Sequence, residues 1–223
     1  MNNSAQRLQE ITQNIEKCRK KSPLAAAAVT LVAVSKTQSA EAIGELIEAG
    51  QKVFGENRVQ EAEEKWPGIR ERYPDIKLHL IGSLQTNKVK HALQLFDVMH
   101  TVDRKALVDA IVKESAKLSD IRCKQFFVQV NTGEEPQKGG VSPAELPELL
   151  EYAKQAGLTI SGLMCVPPAD AVPSPHFAWL HEAAQKFGLP NLSMGMSGDY
   201  EAAIRLGATH VRIGTALFGE RKY

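Results

Sequence analysis

Short apolar runs and amphipathic helical stretches alternate along almost all of this 223-residue chain. That alternation limits the folds open to it. The runs at 31–35, 52–55, 78–81, 98–101, 126–130, 160–164, 192–194 and 211–213 have the length and side chains of buried strands. Helical patterns follow at 40–49, 59–72, 87–95, 104–118, 143–155, 175–187 and 200–206. Gly50 ends the first of these, Pro67 is expected to interrupt the second, and Asp103 is read as the cap of the fourth. Strand followed by helix, repeated in this way, predicts a parallel sheet closed into a (β/α)₈ barrel. A doubly wound open sheet is the alternative. A polar amphipathic helix at 4–20, with Leu8, Ile11 and Ile15 on one stripe, precedes the first strand. Few residues follow 213, so this extra N-terminal helix is expected to close the ring where a last helix is missing. No linker or repeat divides the chain, and it reads as one domain over 1–223.

Composition narrows the partners. A formal net charge of +1 gives no reason to expect nucleic acid or an anionic membrane surface. No apolar stretch approaches the ~20 residues needed to span a bilayer. Residues 1–21 are polar and lack the apolar core of a signal peptide. The three cysteines, Cys18, Cys123 and Cys165, are far apart and not grouped with histidines, which fits a reducing cytoplasm. Cys165 is read as a small core filler.

Lys36 ends the first apolar run, Leu31-Val32-Ala33-Val34-Ser35. In strand geometry Val32, Val34 and Lys36 share one face, which places the amine at the mouth of an interior. Partial burial there would lower its pKa and suit it to forming a Schiff base. An ordinary surface lysine is the competing reading.

Two further segments bear on that choice. Leu192-Ser193-Met194-Gly195-Met196-Ser197-Gly198-Asp199 runs from a strand into a small-residue turn, and Val211-Arg212-Ile213-Gly214-Thr215 does the same one strand later. In a barrel, the loops after the last two strands frequently hold phosphate on backbone amides. Gly198 and Gly214 let the backbone approach an anion, while Ser197 and Thr215 add hydroxyls. Neither turn contains lysine, and both also suit plain helix caps. Val211 and Ile213 point opposite to Arg212, so packing them against helices turns Arg212 into the barrel, where its guanidinium needs an acceptor. Amine, phosphate-shaped turns and inward arginine together describe a pyridoxal phosphate site.

The same residues carry a family resemblance. Val32-Ala33-Val34-Ser35-Lys36, Phe54-Gly55-Glu56-Asn57-Arg58-Val59-Gln60-Glu61, His79-Leu80-Ile81-Gly82-Ser83-Leu84-Gln85-Thr86-Asn87-Lys88, Gly162-Leu163-Met164 and the two segments above occur in order across the chain. On these motifs it resembles the pyridoxal phosphate homeostasis proteins, also called the proline synthetase co-transcribed family. That resemblance implies a single TIM-type barrel similar to the alanine racemase N-terminal domain. It implies pyridoxal 5′-phosphate on Lys36 and Arg212 beside the pyridine nitrogen. Ser197, Gly214 and Thr215 then fall at the phosphate, Asn57 lines the cofactor, and Met196 is counted among the cofactor-binding residues. The third segment departs from the family in Leu78, Leu80 and Ser83, and Gly198 stands where a larger residue is frequent.

Among remaining polar residues, Asn57 also suits an N-cap for the helix at 59–72. His79 and His210 are read as structural. The glycine-rich loop 131–140 suits either a flap over the cofactor or an exposed connection. An arginine beside the ring nitrogen favours the neutral pyridine and weakens its use as an electron sink. None of Tyr73, Tyr152, Tyr200 and Tyr223 is placed to act as the second base that a racemase needs. The expectation is therefore a monomeric cytoplasmic carrier or regulator of pyridoxal phosphate, serving apo-enzymes, without strong catalysis. A racemase or decarboxylase of the alanine racemase type is the alternative, and a Schiff-base aldolase a more distant one.

Overall fold

The computed structural model describes residues 3–219. Helix α1 (Asn3–Arg19) comes first, and eight strands follow in strict alternation with helices: β1 (Thr30–Val34), α2 (Ala40–Glu48), β2 (Val53–Glu56), α3 (Val59–Arg72), β3 (Lys77–Leu80), a 3₁₀ turn (Thr86–Lys88), α4 (Val89–Leu95) and β4 (Val98–Val102). The second half continues with α5 (Lys105–Ser115), β5 (Gln125–Val130), α6 (Leu146–Gln155), β6 (Gly162–Cys165), α7 (Pro173–Lys186), β7 (Asn191–Ser193), α8 (Tyr200–Arg205), β8 (His210–Ile213) and α9 (Thr215–Phe218). All strand pairs are parallel, and the sheet closes on itself. The closing pair puts Thr30 against His210 and Val32 against Arg212. This pairing excludes the open sheet.

The main core lies between strands and helices. Ile43, Leu46 and Ile47 of α2 and Ala62, Trp66 and Ile69 of α3 are buried against it. Their spacing is that of an amphipathic stripe facing a sheet. Helix α1 buries Leu8, Ile11 and Ile15 as expected, and polar bonds tie it across the closing seam. Arg7 Nε donates to the Leu217 carbonyl at 2.6 Å, and Asn14 Nδ2 donates to Tyr200 Oη at 2.7 Å.

Local expectations needed four corrections. Pro67 does not interrupt α3, which runs unbroken through it. Pro67 is exposed, so water can serve the carbonyl that loses its helical donor, while buried Trp66 and Ile69 hold the helix on both sides. Asn57 is not the cap of α3: Arg58 holds that position, without a side-chain bond. Asp103 lies one residue too early to cap α5, whose N-cap is Arg104, and its carboxylate bonds the Arg104 guanidinium instead. After β8 the chain forms the short helix α9, where no helix was expected.

The barrel interior differs from the usual aliphatic filling. Its apolar part is small: Val98, Phe127 and Met164. Apart from Val32, which pairs with Arg212, polar side chains fill much of the rest, with His79, His100, Ser193, His210 and Arg212 all buried.

Candidate functional site

β1 ends at Val34, so Lys36 lies in the turn just beyond the strand, partly buried. Its place is set by the closed ring, which brings the first strand beside the eighth. A cleft of about 280 Å³ opens there at the carboxyl ends of the strands. It is lined by Val34, Lys36, Gln38, Met196, Ser197, Gly198, Arg212, Gly214, Thr215 and Gly219. Larger hollows exist, such as one of about 700 Å³ between α1 and the start of β1; others are also charged, but their walls mix carboxylates with cations, whereas this cleft carries only basic groups.

Six of the seven residues singled out from sequence meet in this cleft: Lys36, Met196, Ser197, Arg212, Gly214 and Thr215. The seventh, Asn57, sits in the bend directly after β2, on the same rim but not on the cleft wall. Its backbone is packed against Gly82, where a Cβ would lie 2.3 Å from the Asn57 carbonyl oxygen. Gln38 and Gly219 line the cleft without having been singled out. The only signal for Gln38 was its closeness to Lys36, and Gly219 is carried there by α9, which was not foreseen.

The turn after β7 is fixed by Asp199. Its carboxylate accepts the Met196 N–H at 2.5 Å, and the Met196 carbonyl accepts from Tyr200 N at 2.9 Å. This curls Met196-Ser197-Gly198 over the cleft, and a side chain at Gly198 would meet nothing within 4 Å. Across from it, the backbone at Gly214 passes close to β1. A Cβ there would come within 3.3 Å of Val34 Cβ and its carbonyl oxygen.

Arg212 is 4% exposed and points into the barrel, as its neighbours' burial required. Nη1 donates to Ser193 Oγ at 2.7 Å and Nη2 to the Cys165 carbonyl at 2.8 Å. Neither partner is a carboxylate, so the charge is hydrogen-bonded but not neutralised, and burial pushes its pKa down. Cys165 is the core residue that was expected, its thiol pushed up to about 12 by burial.

Behind Arg212 the bonds continue into the barrel. Ser193 Oγ lies 2.8 Å from His100 Nδ1, and His100 Nε2 lies 2.9 Å from His79 Nδ1. Since Ser193 accepts from Arg212, its own hydroxyl proton is free to go to His100. His100 then carries its proton on Nε2 and donates to His79. One direction of donors thus runs from Arg212 to His79. His100 also stacks flat on Phe127, ring centroids 4.5 Å apart, and His210 sits edge-on to both. His79 and His210 are structural as read. His100, which sequence reasoning missed, is the link between them, and its signal was a histidine inside the wholly buried strand β4.

The histidines are held neutral. Burial chiefly, with repulsion from His210, pushes His79 down to about 3. Burial and the Arg212 charge push His210 down to about 4, and His100 falls well below its usual range for the same reasons together with its histidine neighbours. A histidine whose pKa falls on folding binds protons more readily when unfolded. Its contribution to stability is therefore complete above 6.5 and is lost as pH drops toward the folded values of about 4 and 3. We expect urea midpoints to hold steady above pH 7 and to fall below it, the unfolding free energy dropping by up to about 1.4 kcal/mol per pH unit for each histidine engaged. A midpoint that stays flat from pH 7 to pH 4.5 would show that these rings are not buried and neutral.

Comparison with known proteins agrees with this geometry. Residues 6–222 match the family described as alanine racemase, N-terminal domain. A protein of Aquifex aeolicus named pyridoxal phosphate homeostasis protein is 41% identical over 231 aligned positions, covering 99% of this chain and all of that one. The protein of the same name from Vibrio cholerae is 41% identical, covering 100% of this chain and 98% of its own. Among solved structures, PipY of Synechococcus elongatus with PLP bound superposes with a TM-score of 0.79 at 37% identity, covering 97% of this chain and 100% of that one. With barrel, cleft and full-length likeness in agreement, the chain belongs to the alanine racemase N-terminal domain family and, within it, to the pyridoxal phosphate homeostasis proteins.

Proposed function

We propose that this protein binds pyridoxal 5′-phosphate through a Schiff base on Lys36 and serves vitamin B6 homeostasis as a carrier or regulator, not as an enzyme. The observation that carries this reading is the lining of the cleft. Lys36 and Arg212 are its only ionisable side chains among the described residues, both cationic, and no carboxylate accompanies them. Such a cleft selects an anionic ligand with an electrophilic carbon within reach of an amine.

The residues fit the group in detail. The turns at 197–198 and 214–215 offer backbone amides and the hydroxyls of Ser197 and Thr215 to a phosphate. The close passage of Gly214 along Val34 keeps that wall free of side-chain bulk. Arg212, held by Ser193 and Cys165, presents its guanidinium at the cleft wall for a ring nitrogen. Lys36 would hold the group through its aldehyde carbon, where the cofactor would supply imine chemistry to the amine. Bound in this way, the cofactor supplies an aldehyde that another amine can reclaim by exchange, which suits storage and delivery to apo-enzymes.

The same lining supports a non-catalytic role. A racemase requires a second proton-transfer group on the far face of its substrate. Tyr73 and Tyr152 bond Glu48 and Asp109 on exposed surfaces, and Tyr200 bonds Asn14. None of these lines the cleft. Tyr223 lies outside the described residues. Arg212 cannot take up a proton from the pyridinium, so carbanion chemistry gains little there. No helix among the described residues is long and apolar enough to cross a membrane. The proposed carrier is a cytoplasmic monomer, one domain over 1–223.

The test begins with protein saturated with pyridoxal phosphate and reduced with borohydride. The added mass should map to the peptide containing Lys36. A second arm incubates the loaded protein with D- and L-amino acids in deuterium oxide. Exchange at the α-carbon should not exceed that given by free cofactor. Adduct on another lysine alone would reject the site, and enzyme-like exchange would favour the racemase reading.

A further inference from the structure

The turn that carries Lys36 is held more firmly than a strand-to-helix connection requires. Thr37 has a φ of 62°, in the left-handed region, where a β-branched residue is strained. Strain of this kind persists only where the surroundings enforce it. The enforcement comes from α3. The two peptide groups that flank the Lys36 Cα are each bonded to that helix. The Ser35 carbonyl accepts from Lys65 Nζ at 3.0 Å, and the Thr37 N–H donates to Glu61 Oε1 at 2.5 Å. Lys65 reaches past the turn to the Gln38 carbonyl as well, at 3.3 Å.

Lys65 and Glu61 stand one turn apart on α3 and pair at 3.1 Å, so the two anchors form one unit. That unit is backed by Glu56, whose side chain is fully buried. Glu56 Oε1 receives Lys65 Nζ and Ser35 Oγ, both at 2.8 Å, and Trp66 Nε1 at 3.1 Å. Burying these charges carries a desolvation cost, which a simple loop anchor does not need. The anchors fall on either side of the one turn residue whose ammonium group lines the cleft.

We infer that Lys65 and Glu61 are positioning residues, which hold the Lys36 amine at the depth and angle where it meets a carbonyl carbon. This inference rests on the reading of Lys36 as the Schiff-base residue. A misplacement of the reacting amine by about 1 Å is worth on the order of 100-fold in such reactions, while binding of the rest of the ligand is untouched.

The experiment separates those two effects with two ligands: pyridoxal phosphate, and pyridoxine 5′-phosphate, which has an alcohol in place of the aldehyde and cannot condense. In Lys65→Met and in Glu61→Ala, the concentration of pyridoxal phosphate that gives half-maximal reducible adduct should rise at least about ten-fold. Affinity for pyridoxine 5′-phosphate should stay close to that of the unmutated protein. Glu61→Gln keeps an oxygen for the Thr37 N–H and should recover most of the adduct. The pH dependence of the Schiff-base absorbance should shift in the first two variants and return in the third. A folded Lys65→Met that forms adduct normally would overturn the inference. So would equal weakening of both ligands, which marks a merely structural role. If Lys65→Met does not fold, the glutamate pair decides, and a Gln variant no better than Ala counts against the idea. Failure of the unmutated protein to form adduct at Lys36 would instead remove the underlying reading, and this inference with it.

Discussion

Lys36→Ala is expected to abolish the borohydride-fixed adduct and the Schiff-base absorbance, leaving a folded protein that still binds the phosphate end of the ligand. Among the described residues no other amine lines the cleft, so none of them offers a substitute nucleophile. The lysine lies in a turn beyond β1 and is only partly buried. Its truncation removes no core contact, and the change in stability should lie within about 0.5 kcal/mol. The residual non-covalent affinity is informative. If the turns at 197–198 and 214–215 hold the phosphate, Lys36→Ala retains measurable binding of pyridoxine 5′-phosphate. Loss of both ligands together would mean that the anion site depends on the ammonium charge itself.

Arg212→Leu should weaken binding of pyridoxal phosphate by roughly 10- to 100-fold, the equivalent of about 1.5–3 kcal/mol for a hydrogen bond to a charged group. Its effect on stability is a balance of opposing terms. The substitution leaves Ser193 and the Cys165 carbonyl without a donor, which is destabilising. It also removes a buried charge without a carboxylate partner, which is stabilising. The pH dependence tells these apart from a simple loss of packing. Arg212 helps to depress His100 and His210, although burial is the larger cause for both. Without it their pKa values rise partway toward 6.5, so less stability is lost on acidification. The urea midpoint of Arg212→Leu should therefore fall less steeply between pH 6.5 and pH 4.5 than that of the unmutated protein. An unchanged slope would mean that the guanidinium and the imidazoles do not interact.

Much of this architecture was legible from local pattern. All eight strands were found, with boundaries displaced by at most two residues. Displacements came where a partner strand sets the limit: β6 begins at Gly162, against Asn191 of β7, and not at the apolar Ile160. The cap assignments at Asn57 and Asp103 failed for a related reason. Side-chain type predicts that a cap is favourable, but the course of the preceding loop decides which residue occupies the position. Pro67 misled because the tertiary packing of α3 outweighs the loss of one helical bond at an exposed site.

The site divides in the same way. Lys36 was recognisable as a charged residue at the end of an apolar run and Arg212 as one set between two apolar strand residues, arrangements that need an explanation wherever they occur. The sequence by itself determined the order of strands and helices and the residues at each strand's carboxyl end, since strand and helix periods are properties of neighbouring side chains. Only the tertiary structure decided that residues 36, 196–198, 212, 214 and 215 share one cleft, because that follows from β1 pairing with β8 across the whole length of the chain. It alone also decided that His79, His100, Ser193 and Arg212 form one chain of donors, and that α3 bends the backbone around Lys36. Each of these depends on the distance between residues far apart in sequence, and closure of the ring sets that distance.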